Sequence, residues 1–131
     1  MARDKKITES EWRVMDALWQ RPGSTTAEVA EALADTGWNR NTVHTFLTRL
    51  EGKGYVHAGE GGAPRRYYPS AAREDCVRAE TEGFVQRVFR GSAGQLVRTF
   101  LRDERLSEDE VDELRALLDS AGRRGEGDAQ E

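Results

Sequence analysis

Three capping boxes divide this chain of 131 residues into short helices, and their spacing leaves few folds open. Thr8-x-x-Glu11, Thr25-x-x-Glu28 and Ser107-x-x-Glu110 each set a hydroxyl where it accepts from the third helical N–H. The partner carboxylate reaches back to the cap N–H. The first box predicts a helix up to Gln20, with Ile7 and Trp12 at the staple positions and Trp12, Met15, Leu18 and Trp19 on an inward stripe. Arg21-Pro22-Gly23 breaks it. The second box predicts a short helix with Val29, Ala30 and Leu33 inward, ending near Gly37. Helices of this length are marginal alone, so they have to share a core.

A third helix follows at once, with Asn39 as its N-cap. At 100° per residue, Val43, Phe46, Leu47 and Leu50 fall within one narrow arc. Asn41, Thr45, Thr48 and Gly52 fall opposite, with Thr42 and Arg49 on the flank. The pattern ends at glycine and runs into a strand at Tyr55-Val56. A helix that needed only solubility would carry Glu and Lys on its outer face. Amides, hydroxyls and Arg are instead the groups that pair with base edges in a DNA major groove. The candidate DNA contacts are therefore Arg40, Asn41, Thr42, His44, Thr45, Thr48 and Arg49. Thr42 and Thr45 are the base-reading candidates, each with a methyl for thymine and a hydroxyl for a base or phosphate oxygen. Asn41 suits adenine or a phosphate, and Arg49 a phosphate. A half-buried helix with an ordinary polar face is the competing reading, and for Thr42 a role in completing the Asn39 cap.

Beyond Gly54, Tyr55 to Ala58 and Arg65 to Pro69 are β-prone segments separated by Gly59-Glu60-Gly61-Gly62-Ala63-Pro64, which predicts a hairpin. Three short helices and a hairpin make a winged helix-turn-helix, with Arg65 and Arg66 at the returning base of the wing. A solvated strand edge is the alternative for those two arginines. Three more helices are expected after residue 72. Val77, Phe84 and Val88 line the first, Leu96 and Phe100 the second, and Val111, Leu114 and Leu118 the third. They carry more apolar surface than they can hide among themselves, which predicts a homodimer through those residues. The fold class is mainly α with a small β-hairpin. It divides into a winged-helix DNA-binding domain at 1–72, a helical dimerisation domain at 73–121 and a disordered tail at 122–131.

Net charge is −4, mildly unfavourable for binding nucleic acid, but the charge is unevenly spread. Residues 1–72 hold ten Lys/Arg against nine Asp/Glu, whereas 73–131 hold ten against fifteen. The first part can still present a basic face. Cys76 is the single cysteine, so no internal disulfide and no cysteine-rich metal site can form. Its expected role is that of a small packed side chain. His44 and His57 have no carboxylate at ligand spacing, and His57 has no evident partner, so no metal or cofactor is expected. The three tryptophans fall at core or helix-junction positions. No apolar run approaches the ~18 residues of a membrane span, and the first residues do not resemble a secretory leader, so a cytoplasmic protein is expected. There is no HExxH and no phosphate-binding glycine loop, so no enzyme is expected.

Lys6-Ile7-Thr8-Glu9-Ser10-Glu11-Trp12, Val14-Met15, Leu18-Trp19, Thr42-Val43-x-Thr45-x-Leu47-x-Arg49-Leu50, Lys53-Gly54 and Tyr67-Tyr68-Pro69 together resemble the penicillinase-repressor family, of BlaI and MecI type. The likeness continues through Cys76-x-Arg78-Ala79-Glu80, Phe84, Arg87-Val88 and Leu106-Ser107-x-x-Glu110-x-x-x-Leu114. It implies a dimeric repressor whose winged domain binds double-stranded, inverted-repeat operator DNA. It also implies release when a membrane-bound sensor metalloprotease, responding to β-lactam, cuts the dimerisation helices. The bond implied here is Thr99-Phe100, where the best-known members carry Asn in place of Thr99. Asn41 and His44 likewise stand where those relatives carry Lys. The chain lacks the C-terminal cysteine cluster of the family's copper-responsive branch. Two other readings compete: a winged-helix module that binds protein, and a repressor released by a small ligand.

Overall fold

The fold was analysed in a computed structural model, which describes residues 5–129. Its elements run α1 (Glu9–Gln20), β1 (Ser24–Thr25), α2 (Thr26–Ala32), a 3₁₀ turn (Ala34–Thr36), α3 (Arg40–Lys53), β2 (Val56–Ala58), β3 (Arg66–Pro69), α4 (Arg73–Phe89), α5 (Ala93–Arg102) and α6 (Glu108–Ala129). Each predicted cap is formed. Thr8 and Thr25 make reciprocal boxes with Glu11 and Glu28, Asn39 Oδ1 accepts from Thr42 N at 2.9 Å, and Ser107 Oγ accepts from Glu110 N at 3.2 Å. Gly54, at φ 88°, closes α3 in the left-handed region that a side chain would resist.

The hairpin of β2 and β3 pairs His57 with Tyr68 and Ala58 with Tyr67. A third strand joins it: β1 runs antiparallel to β3, with Ser24 opposite Tyr67 and Thr25 opposite Arg66, so the sheet order is β1-β3-β2. Two residues carry too little apolar pattern to announce a strand, and only the partner strand makes them one. Tyr68, on the central strand, lies against the backbone next to each of the two outer strands. A Cβ at Gly59 would stand 2.9 Å from its Cε2, and one at Gly23 3.1 Å from its hydroxyl.

The core of this winged unit is made by Val14, Met15 and Leu18 of α1, Val29 of α2, Val43, Leu47 and Leu50 of α3, and Tyr55, Val56 and Tyr67 of the hairpin. Trp12, Trp19 and Trp38 pack half-buried around it, and Trp19 Nε1 donates to Ala71 O at 2.9 Å. The first half of α4 belongs to the same unit. Cys76 is buried in the core, and Arg73 pairs with Asp16 at 3.2 Å. The compact units therefore divide between Thr81 and Glu82, inside α4, rather than after residue 72. Helix continuity hides that division from the sequence.

In the second unit, α5 is capped by Ser92, whose Oγ accepts from Gln95 N at 3.1 Å. Phe84 and Phe89 meet edge to face at 5.7 Å. The last helix continues to Ala129, past residue 122 where the glycine-rich sequence predicts disorder. Each glycine costs about 1 kcal/mol against alanine. A helix nucleated at the Ser107 box nevertheless gains one hydrogen bond for each residue added. Residues 130 and 131 of the expected tail lie outside the described residues.

Glu11 binds the ends of two helices together. Its Oε1 accepts from Thr8 N at 2.8 Å and from Lys53 Nζ at 2.6 Å, and Lys53 Nζ also donates to Lys6 O at 2.8 Å. The Glu11 side chain is 1% exposed and that of Lys53 16%. Burial raises the carboxyl pKa, but the hydrogen bonds from Lys53 and Thr8 and the lysine charge outweigh it, so Glu11 ionises below its ordinary value of 4.5. A depressed carboxyl stabilises the fold above its unfolded pKa and loses that contribution as pH falls through the folded value. Lys53→Met should lower stability by about 3–5 kcal/mol in urea unfolding at pH 7, because it strands a buried carboxylate. Adding Glu11→Gln should recover part of that loss and flatten the acid limb of the stability curve. A Lys53→Met protein as stable as wild type would contradict this account.

Candidate nucleic-acid interface

The packing of α3 decides which of its side chains reach solvent. Val43, Leu47 and Leu50 are fully buried, and Phe46 meets Trp38 at 4.9 Å. Arg40, Asn41, His44, Thr45, Thr48 and Arg49 are thereby turned outward and exposed, and Thr42 is half-buried. The Thr42 amide completes the Asn39 cap, while no described residue takes its hydroxyl. Thr45 Oγ1 donates to Asn41 O at 3.0 Å, which steers its methyl off the helix axis and leaves the oxygen able to accept. The polar side of α3 is thus turned outward, with Thr42 at its half-buried margin.

The cations of this surface fall into two groups. Among the described residues, Arg40 and Arg49 have neither a hydrogen bond nor an ion pair. Arg65 and Arg66, expected at the wing base, are both held. Arg65 donates to Glu51 Oε2 at 2.9 Å and lies 5.4 Å from the Tyr67 ring centroid. Arg66 donates to Gly23 O at 2.9 Å and to Glu28 Oε1 at 3.3 Å. The Glu28 carboxyl sits below the ordinary range, chiefly because the Thr25 backbone and hydroxyl hydrogen-bond to it, with Arg66 and Arg21 adding charge. His57, expected without a partner, stacks on Tyr68 at 5.7 Å and lies 2.7 Å from Ser70 Oγ. Cross-strand register, which the sequence does not print, creates both contacts.

The residues expected to dimerise are carried by α4, α5 and α6. Val77, Phe84, Val88, Phe100 and Leu118 are exposed, Leu118 at 65%. Leu96, Val111 and Leu114 are half-buried. Leu96 and Leu114, with Val97, Phe100, Leu106 and Leu117, line an apolar groove of about 320 Å³ between α5 and α6. Val97, Leu101 and Leu117 are exposed as well and belong to the same apolar surface. Thr99 and Phe100 sit inside α5, with Thr99 Oγ1 donating to Gln95 O at 2.9 Å. No cluster of potential metal ligands occurs among the described residues, nor is any described helix long and apolar enough to cross a membrane.

The sequence model of the penicillinase-repressor family matches residues 7–120. The chain belongs to this family. Its members are transcriptional repressors that bind DNA, and not enzymes. Methicillin resistance regulatory protein MecI of Mammaliicoccus sciuri is 29% identical over 114 residues, covering 86% of this chain and 93% of that one. The monomeric form of Bacillus licheniformis BlaI, solved in complex with the blaP half-operator, is 30% identical. That match covers 54% of this chain and 88% of BlaI, with a TM-score of 0.47. The MarR-family regulator SP03579 is 18% identical over 95% of this chain and 76% of its own, with a TM-score of 0.51, and shares the fold.

Within this family fold, the Asn39 cap sets where α3 begins and so where its first outward residues stand. Asn39→Ala should lower stability by about 0.5–2 kcal/mol and loosen the first turn of α3. Urea unfolding and amide exchange at Thr42 measure both, and unchanged exchange there would show that the cap is dispensable.

Proposed function

We propose that this repressor acts as a homodimer that places two copies of α3 in successive major grooves of an inverted-repeat operator, blocking transcription by occupancy. The observation that carries the reading is the outward face of α3. It bears amide, hydroxyl and unpaired guanidinium groups where a merely soluble helix would bear paired charges. Thr45 and Asn41, with Thr42 and Thr48, meet base edges; Arg40, His44 and Arg49 meet phosphates on either flank, and Arg65 and Arg66 the backbone beside the wing. A two-fold dimer sets the half-site centres about 10 bp apart or a small multiple of that.

The dimer is attributed to the C-terminal helices. A surface with Val88 52%, Phe100 46%, Leu117 54% and Leu118 65% exposed is costly in water, and a second copy related by a two-fold axis covers it with itself. Release by proteolysis at Thr99-Phe100 fits the same arrangement. A cut in α5 removes one wall of the apolar groove, and a monomer keeps half the operator contacts. A protease needs extended backbone, so α5 must unwind first. With no fully buried residue to anchor it, that local opening is inexpensive. The chain should remain uncut until the inducing signal arrives. Intact protein on immunoblots throughout induction would exclude this route.

Thr45→Ala and Asn41→Ala should each weaken operator binding by about 1–3 kcal/mol while leaving random-duplex affinity nearly unchanged. Mobility shifts at several salt concentrations measure both, and equal losses on the two DNAs would remove the base-reading role. If no DNA binds at any salt, the surface serves a protein partner instead. Leu118→Glu should shift the sedimentation profile toward monomer and reduce operator affinity with the helical circular-dichroism signal retained. An unaltered profile would place the dimer contact elsewhere.

A further inference from the structure

We infer that Glu51 is a built-in competitor for DNA phosphate that holds the wing arginine Arg65 in reserve, so that indiscriminate binding to duplex is restrained. The inference rests on the DNA-binding reading above and concerns its specificity. On the α3 helical wheel, Arg40, His44 and Glu51 share one flank, with Glu51 seven residues beyond His44. The 2.9 Å bond from Arg65 to Glu51 brings the base of the wing to that same flank. A phosphate strand passing between α3 and the wing would therefore meet Arg40, His44 and Arg65, with the Glu51 carboxylate among them.

The held state of Arg65 is more readily replaced than that of its neighbour. Arg66 also donates to the Gly23 carbonyl, a bond that ties β3 to the turn before β1. Arg65 has only a carboxylate and the face of Tyr67. Its side chain is 53% exposed and that of Glu51 35%, and a solvent-exposed ion pair is weak. A phosphate group, with two oxygens for the guanidinium fork, can take over the single Nη2 bond that the Glu51 carboxylate now holds. Arg40 and Arg49 can neutralise phosphate without breaking anything. Engaging Arg65 first requires displacing Glu51, and doing so leaves that negative charge facing the DNA. A well-docked operator complex brings phosphate close enough to displace it; a loosely held random duplex does not.

The test is a two-residue cycle with salt-titrated binding to a random duplex and to the operator. Glu51→Gln should tighten random-duplex binding about three- to ten-fold and steepen its salt dependence by about 0.9 in log K against log salt, one added phosphate contact. In the Arg65→Gln background, Glu51→Gln should produce neither change. A gain that persists without Arg65 would mean that removing a negative charge acts through space, and the proposal fails. No gain in the single variant overturns it equally. Absence of all DNA binding by the wild-type protein would instead overturn the underlying reading. Thermal midpoints should be unaltered in all variants, since the pair is exposed.

Discussion

The winged unit depends on one buried ion pair. Glu11 and Lys53 join the start of α1 to the end of α3, so an acidic group stands at a helix N-terminus and a cation at a helix C-terminus, where each also favours the local dipole. Taking both charges out of water is expensive. The cost is offset because Glu11 is already engaged in its own helix cap and Lys53 also finds the Lys6 carbonyl. Apolar contacts alone would let α3 slide or roll against α1 at small cost. A pair with fixed hydrogen-bond geometry does not, and it therefore helps set the rotation of α3 that turns its polar face outward.

That rotation divides labour along a single helix. The residues that hold α3 in place are aliphatic and buried, and those left outside are short, polar and mostly uncommitted. Most other arginines of the winged unit are spent on internal carboxylates: Arg13 on Asp35, Arg73 on Asp16, Arg66 on Glu28. A chain of net charge −4 binds a polyanion best where cations are left free of internal carboxylates, and among the described arginines of the winged unit Arg40 and Arg49, both on α3, have no ion pair.

The C-terminal helices follow a different logic. Local caps at Ser92 and Ser107 suffice to start α5 and α6, yet neither helix contains a fully buried side chain among the described residues. Secondary structure here is secured by capping and helix propensity, while the apolar side chains stay partly in water. Such a surface is stable as helix and unfinished as a fold. It suits the assembly role proposed for this segment.

How much of this was legible in the residues depends on distance along the chain. Capping boxes, the Asn39 cap, the two faces of α3 and the apolar stripes of α4 to α6 are local, involving groups three to seven positions apart whose geometry is that of any helix. They determined the elements, the winged plan and the outward polar face of α3. The tertiary structure alone decided that Lys53 lies on Glu11 across 42 positions, that Arg65 meets Glu51 across 14 and His57 meets Ser70 across 13, and that Ser24-Thr25 becomes a strand. Each of those pairings needs two segments brought together by a common core. A hydrogen-bonding group announces its capacity in the sequence, but its partner is chosen by packing.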